Sequence, residues 1–305
     1  MMRILTSIWM VILVAIILLG VRYTDSKYVK ILRYKTWDAY QQIEPRQDHS
    51  DMVTVVNITE KDLDKYGQWP WPRHVMAMLH AQLGESKPAL VNYNILFAEE
   101  DRMSGKNYLD TMPLDKEVRK QLESVLLDTD QVFAYMMDVT GNIVLMQSVK
   151  DTSSLELPST TPILEKGNAK PWLWLYEGIV SPIPKFSAAA KGLGVNVTAP
   201  EPDGVVRKMP MLIRVNGKIY PSQILENVRI INQSKRIKVV TGANGIEEVL
   251  VKKDAGVPVN HNAEMYIHYT HPDNILEVSA GDVMSGEVPI EKLQNRIVVV
   301  GLDAA

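Results

Sequence analysis

Residues 67–74 read Gly67-Gln68-Trp69-Pro70-Trp71-Pro72-Arg73-His74. Upstream lies MVTVVNI (Met52–Ile58), and downstream, past a helix-like run, ALVNYNILF (Ala89–Phe97). Both flanking stretches are rich in β-branched residues and almost continuously apolar, as strands covered on both faces are. Between them Val75, Met76, Leu79 and Leu83 share one helical face, and Gly84 suits the stop. Pro72 suits a helix start, where a missing N–H costs nothing. Strand, helix and strand with short connectors predict a right-handed βαβ crossover whose two strands lie side by side and parallel. Pro70 and Pro72 fix their own φ and push Trp69 and Trp71 towards extended backbone. The loop is then a stiff bracket holding two indoles in set directions. Those rings either roof the end of the sheet or line a pocket, since open α/β sheets bind ligands beyond the carboxyl ends of their strands.

Towards the N-terminus, Ile4–Val21 reads ILTSIWMVILVAIILLGV without a charge. At ~1.5 Å per residue this is long enough for ~30 Å of hydrocarbon. The exit LLGVRYTDS offers no convincing signal-peptide cleavage site. The expectation is an uncleaved transmembrane signal anchor over residues 4–21 behind a cytoplasmic stub of residues 1–3. A cleaved signal and a buried globular helix are the alternatives. Flanking charge does not orient the segment, because Arg3 stands at one end while Arg22, Lys27, Lys30, Arg33 and Lys35 crowd the other. Residues 25–44 predict a juxtamembrane helix. Its Val29, Leu32, Thr36, Ala39 and Ile43 form a stripe at 3-4-3-4 spacing, turned either to its own domain or to a second copy of the chain.

Residues 45–305 make the main domain. After Phe97 a polar loop, AEEDRMSGKNYLDTMP, leads to a helix, LDKEVRKQLESVLLDTD, and a strand, QVFAYMMDV. Gly141-Asn142 is read as a turn into IVLMQSV as an antiparallel partner. Lys150–Lys170 is a Ser/Thr/Pro-rich connector. Asn216-Gly217 predicts a hairpin between VVRKMPMLIRV and KIY, and Pro221-Ser222 opens a helix with Ile224, Leu225, Val228 and Ile231. KRIKVVTG and IEEVLVKK form a further hairpin, SAGDVMSG a short helix and RIVVVG a final buried strand. The fold class expected is α/β: the N-terminal transmembrane helix, then a mixed sheet with a βαβ core, helices on its faces and β-hairpins.

Composition narrows the function. The 305 residues are 46% hydrophobic and 23% charged, so they can bury a substantial core and are not disordered wholesale. A net charge of −3 gives no hint of nucleic acid, which would want a basic face. Cysteine is absent, which excludes disulfides, thiolate chemistry and cysteine-ligated zinc. There is no phosphate-binding glycine loop, no nucleophile elbow and no nucleotide fingerprint. His74, His80, His261, His268 and His271 show no metal-type pairing.

In their order along the chain, these motifs resemble the second type of CHASE domain, the cyclase/histidine-kinase-associated sensory extracellular domain of bacterial receptors. The resemblance runs from about Trp37 to the last residue. WDAYQQIEPR is similar to the family's opening helix, VVNITEKDLDKYGQWPWPR to its most diagnostic block and ILFAEEDRMS to its acidic loop. PDGVVRKMPMLIRVNGKIYPS, SAGDVMSGEVP and RIVVVGLDAA resemble the later blocks. Three positions depart from the pattern: Thr59 precedes Glu60 where an Asp is usual, Asn94 (beside Asn92) replaces an Asp, and Glu100 replaces a Pro. The resemblance implies an extracytoplasmic, periplasmic sensor at the bacterial inner membrane, a homodimer, with an unknown extracellular ligand. It implies a cytoplasmic output after further transmembrane helices, a nucleotide cyclase or a kinase, and a domain cut short at Ala305. A membrane-tethered periplasmic binding or scaffold protein without output is the alternative reading, and a surface hydrolase using the acidic loop is a third.

No catalytic residue, metal ligand or cofactor is expected. The candidate ligand-binding residues are Glu60, Trp69, Trp71, Arg73, Glu99, Asp101 and Arg102, all expected at the carboxyl ends of the two parallel strands. Arg73 opens a helix where its charge opposes the dipole, so either a carboxylate such as Glu60 or Asp101 or an anionic ligand must offset it.

Overall fold

The computed structural model describes residues 8–24, 26–46, 52–109, 112–153, 159, 161–198 and 201–303. They fall into two compact units. The first holds the two N-terminal helices, α1 (Ile8–Thr24) and α2 (Lys27–Ile43), with residues 201–205 and 268–274. Within it Tyr34 donates to Glu201 (2.6 Å) and Arg46 N–H to the Tyr269 carbonyl (3.1 Å). The expected transmembrane helix is corrected here: among the described residues no helix is long and apolar enough to cross a membrane. α1 spans 17 residues, a rise of roughly 25 Å against a hydrocarbon core of roughly 30 Å. Its final turn already contains Arg22, and residues 4–7 of the expected span lie outside the described residues. Along α2 the stripe predicted from spacing is uncovered except at the half-buried Val29, with Leu32 67% and Ile43 78% exposed. Another face, carrying Ile31, Tyr34, Asp38 and Gln41, is half-buried instead.

The second unit opens with β1 (Val53–Ile58), α3 (Glu60–Tyr66), α4 (Arg73–Glu85) and β2 (Leu90–Tyr93). Then come α5 (Gly105–Leu109), α6 (Lys116–Glu123), α7 (Thr129–Thr140) and β3 (Ile143–Lys150). β4 (Ile163–Lys166), β5 (Trp174–Tyr176), β6 (Gly178–Val180), α8 (Pro184–Ala189) and β7 (Gly192–Asn196) follow. The last third holds β8 (Lys208–Pro210), β9 (Leu212–Val215), β10 (Lys218–Pro221), α9 (Gln223–Ile231), β11 (Ile237–Gly242), β12 (Gly245–Lys252), β13 (Ala255–Val257), β14 (Glu264–Tyr266), β15 (Glu277–Ser279), α10 (Ala280–Met284) and β16 (Ile297–Leu302).

The main sheet runs β15-β1-β16-β2-β3-β6, with β7 also paired to β3. β1 and β2 share this sheet but are not neighbours, contrary to the side-by-side expectation. β16 lies between them, parallel to both, with Val53 opposite Ile297 and Ile297 opposite Leu90. The physical reason is that RIVVVG carries four consecutive β-branched residues, Ile297–Val300, which suit a strand covered on both faces. Its Val298 and Val300 are fully buried beside Val56 and Ile58, a position at the sheet's centre. A second correction concerns QVFAYMMDV, which is not a strand but the body of α7. The Asp128 carboxylate accepts from the Gln131 N–H at its start, Phe133, Ala134 and Met137 form its buried face, and Gly141 ends it with φ 76°. Gly141 therefore caps a helix, and β3 pairs with β2 in parallel, not with a preceding strand.

Helices cover both faces of this sheet. Val91 and Tyr93 join α4 and α7 in the larger core, whereas Leu90 meets Ile230 of α9 on the other side. β2 is accordingly buried along its whole length. The hairpin predicted at Asn216-Gly217 joins β9 and β10, with positive φ at both turn residues as a type I′ turn requires. β11 and β12 pair antiparallel inside a four-stranded sheet, β13-β12-β11-β4, above a second core that includes Leu225, Ile237 and Val249.

One titratable group lies deep in the larger core. His80 of α4 is fully buried, its Nδ1 2.9 Å from the Tyr93 hydroxyl and its ring edge-on to Phe133. Burial pushes its pKa down to about 4 from the ordinary 6.5. The folded state thus refuses a proton that the unfolded chain accepts, so stability falls as pH drops from 6.5 towards 4. Between pH 7 and pH 5 the wild type should lose about 2 kcal/mol more than His80→Gln, as read by denaturant unfolding at both pH values.

Candidate functional site

Pro72 precedes α4 and has no side-chain acceptor, so the first N–H groups of the helix have no local cap. The acceptor comes from 28 residues away: Asp101 Oδ2 takes the Arg73 N–H at 2.8 Å. Asp101 is buried, and the same oxygen accepts the Thr129 hydroxyl at 2.7 Å, while Oδ1 accepts the Met103 N–H at 2.9 Å. Its own N–H donates to Asp130 Oδ2 at 3.0 Å. One carboxylate therefore ties the start of α4, the loop after β2 and the start of α7 together.

The Arg73 side chain lies beneath this junction. Its guanidinium donates to the Glu99 carbonyl (3.1 Å), and Nε stands 3.5 Å from Asp130 Oδ1, a carboxylate only 1% exposed. The guanidinium also sits 4.9 Å from the Phe97 ring centre and 5.8 Å from that of Phe186. The chain's three phenylalanines, Phe97, Phe133 and Phe186, all meet here edge-to-face at 5.4–5.7 Å, giving the cation an apolar floor. Burial pulls the guanidinium's pKa down, opposed by Asp130, Asp101 and Glu99. Burial likewise raises the Asp130 carboxyl above its ordinary range, against the Asp101 N–H and the Arg73 charge.

The two indoles serve different ends. Trp71 is buried, donates Nε1–H to the Gly67 carbonyl (2.7 Å) and meets Tyr66 edge-on at 5.8 Å. Trp69 is half-buried, 6.2 Å from Trp71, and its peptide bond to Pro70 is cis. Together with Arg73, Phe97, Glu99, Asp101 and Arg102 they line an open cleft of about 540 Å³ beyond the carboxyl end of β2. At its mouth Glu99 and Arg102 form an exposed pair at 2.6 Å.

Six of the seven sequence candidates thus converge. Glu60 is not among the residues lining the cleft; it is exposed in the first turn of α3. Three acids were missed or misassigned. Asp130, not Glu60, is the carboxylate facing the Arg73 guanidinium, and Asp101 answers the backbone instead. The D-x-x-Q spacing of Asp128 and Gln131 marks a helix start and would have placed Asp130 at its first turn. Asp62 is 2% exposed; it closes a capping box with Thr59 and accepts from Ser279 Oγ (2.7 Å) and the Gly281 N–H (3.1 Å). It thereby links α3 to α10. Among the described residues no cluster of three or more His, Asp or Glu could hold a metal ion. The chemistry the site offers is recognition: an aromatic wall, an exposed ion pair at the mouth and a buried network behind them, in which Arg73 meets Asp101 and Asp130.

Asp130→Ala should leave a buried guanidinium without its counter-charge and lower stability by about 3 kcal/mol in denaturant unfolding. Arg102→Ala, which breaks only the exposed pair, should leave the unfolding midpoint unchanged within error.

Searches of curated proteins and of solved structures gave no match. The family model of the CHASE2 domain matches residues 11–305, and the chain belongs to that family. CHASE2 domains are extracytoplasmic sensory domains of signalling receptors, and they are not catalytic.

Proposed function

We propose that this CHASE2 domain is the input part of a receptor at the bacterial cytoplasmic membrane, that it lies in the extracytoplasmic space, and that it governs a cytoplasmic nucleotide cyclase. The observation that supports a ligand-driven input is the cleft at the carboxyl end of β2, where a parallel α/β sheet offers its natural binding position. The contacts to the ligand come from the half-buried Trp69 and from Glu99 and Arg102 at the mouth. Arg73, Trp71 and Asp101 hold the walls, because their polar groups are already engaged within the protein. A ligand that displaces the loop after β2 must also act on the first turns of α4 and α7, since Asp101 joins all three. The signal is then a shift in population between two arrangements of these elements.

The receptor acts as a homodimer. Cyclase sites of the implied class form between two subunits, and the uncovered Leu32, Thr36, Ala39 and Ile43 on α2, with the half-buried Val29, offer a seam of heptad spacing.

Three measurements test this reading. A periplasm-dependent reporter such as alkaline phosphatase, fused after Val149, should be active; a fusion that works only in the cytoplasm overturns the location. In cells lacking their own cyclase, the whole receptor should raise cyclic nucleotide, and Trp69→Ala with Arg102→Ala should change that output several-fold at unchanged expression. Leu32→Asp with Ile43→Asp should abolish both α2 cross-linking and output, and full output from both sets of variants would sink the proposal.

A further inference from the structure

The end of the four-stranded sheet β13-β12-β11-β4 carries a second concave surface, lined by none of the cleft residues. It encloses about 490 Å³ and is bordered by the Asn232–Ser234 turn after α9, by Lys235, Arg236 and Lys238 leading into β11, and by Lys252 and Lys253 at the end of β12. Antiparallel pairing brings these positions together: Lys238 lies opposite Leu250, and Lys252 opposite Ala255. Four of the five cations are exposed and Lys238 is half-buried. Among the described residues no ion pair engages any of them. The nearest acids along the chain are Glu248, paired in register with Val240, and Asp254, which follows Lys253. In a chain of net charge −3, five unpaired cations around one hollow are a local concentration that composition does not account for.

Like charges held this close repel one another, and a counter-anion that bridges them relieves the repulsion. The Arg236 guanidinium offers a planar fork suited to two oxygens of one oxyanion, and the lysines offer compact point charges around it. We propose that this hollow binds a small multivalent oxyanion carrying two or more phosphoryl groups. A single phosphate leaves most of the five charges unmatched. A flat membrane surface does not fill a concave hollow, so a compact free anion is the better occupant.

Calorimetric titration of the full chain with inorganic tripolyphosphate tests the assignment. Saturable one-to-one binding is expected, much tighter than for monophosphate and weakened about tenfold when salt rises from about 50 to about 300 mM. Lys235→Gln, Lys238→Gln and Lys253→Gln together should weaken it by at least about tenfold, while Lys253→Arg should bind as the wild type does. If the triple variant loses its far-UV circular dichroism, the double variant at the exposed Lys235 and Lys253 gives the same reading. No saturable binding at millimolar tripolyphosphate overturns the proposal, as does binding unaltered in the glutamine variants. Binding to phosphatidylglycerol vesicles without binding to tripolyphosphate overturns it too, and assigns the patch to a lipid surface.

Discussion

A proline at the threshold of a helix leaves that helix without a local acceptor, and the carboxylate of Asp101 makes good the loss. It reaches the Arg73 N–H from the loop after β2 and holds the Thr129 hydroxyl with the same oxygen. Two helices on one face of the main sheet thus start from a single buried acid. A carboxylate in that position is tolerable only when its lone pairs are filled, and three donors fill them. The Trp-Pro-Trp-Pro-Arg bracket is the other half of the same device. It delivers Arg73 to the acid with its side chain already directed onto the phenylalanine floor.

The sheet beneath imposes the second constraint. β16, late in the chain, is inserted between β1 and β2, so the early strand pair is completed only when the last strand arrives. Contacts of this sequence separation are slow to form, and the entropy of closing so long a loop is offset only once the central valines are buried. Asp62 works at the same edge, binding the first turn of α3 to Ser279 and Gly281 near the strand that flanks β1. The cleft is therefore walled by elements from the first and middle thirds of the chain but rests on a sheet that the final third closes.

For a sensory domain this arrangement has a useful consequence. The Arg73 guanidinium is already engaged within the protein, so an occupant does not have to displace water from a naked cation. What remains accessible is an indole face and an exposed ion pair, which are groups whose engagement costs little reorganisation. The tight network sits one layer deeper, where it converts displacement of the loop after β2 into movement at two helix starts. The basic hollow on the four-stranded sheet is separate in character, because among the described residues no ion pair engages its five cations.

Local chemistry was enough to read the hairpins at Asn216-Gly217 and between β11 and β12, the helix opened by Ser222, the stiff tryptophan loop and six residues of the cleft. Each of these is written within a few residues, as a turn dipeptide, a cap or a proline. The sequence also carried the family, because several motifs of this kind recur in a fixed order. Tertiary structure alone decided which strands are neighbours, because a β-branched run states that it will be buried but not beside what. It decided that QVFAYMMDV is helical, since its apolar residues suit either period and only packing against α4 and the sheet separates them. It decided that Asp130 and not Glu60 faces Arg73, because pairing between buried charges depends on which loops the sheet brings together. It also corrected the membrane reading: among the described residues no helix is long and apolar enough to cross a membrane. Hydropathy measures composition along the chain, whereas spanning ~30 Å of hydrocarbon also requires unbroken helical length.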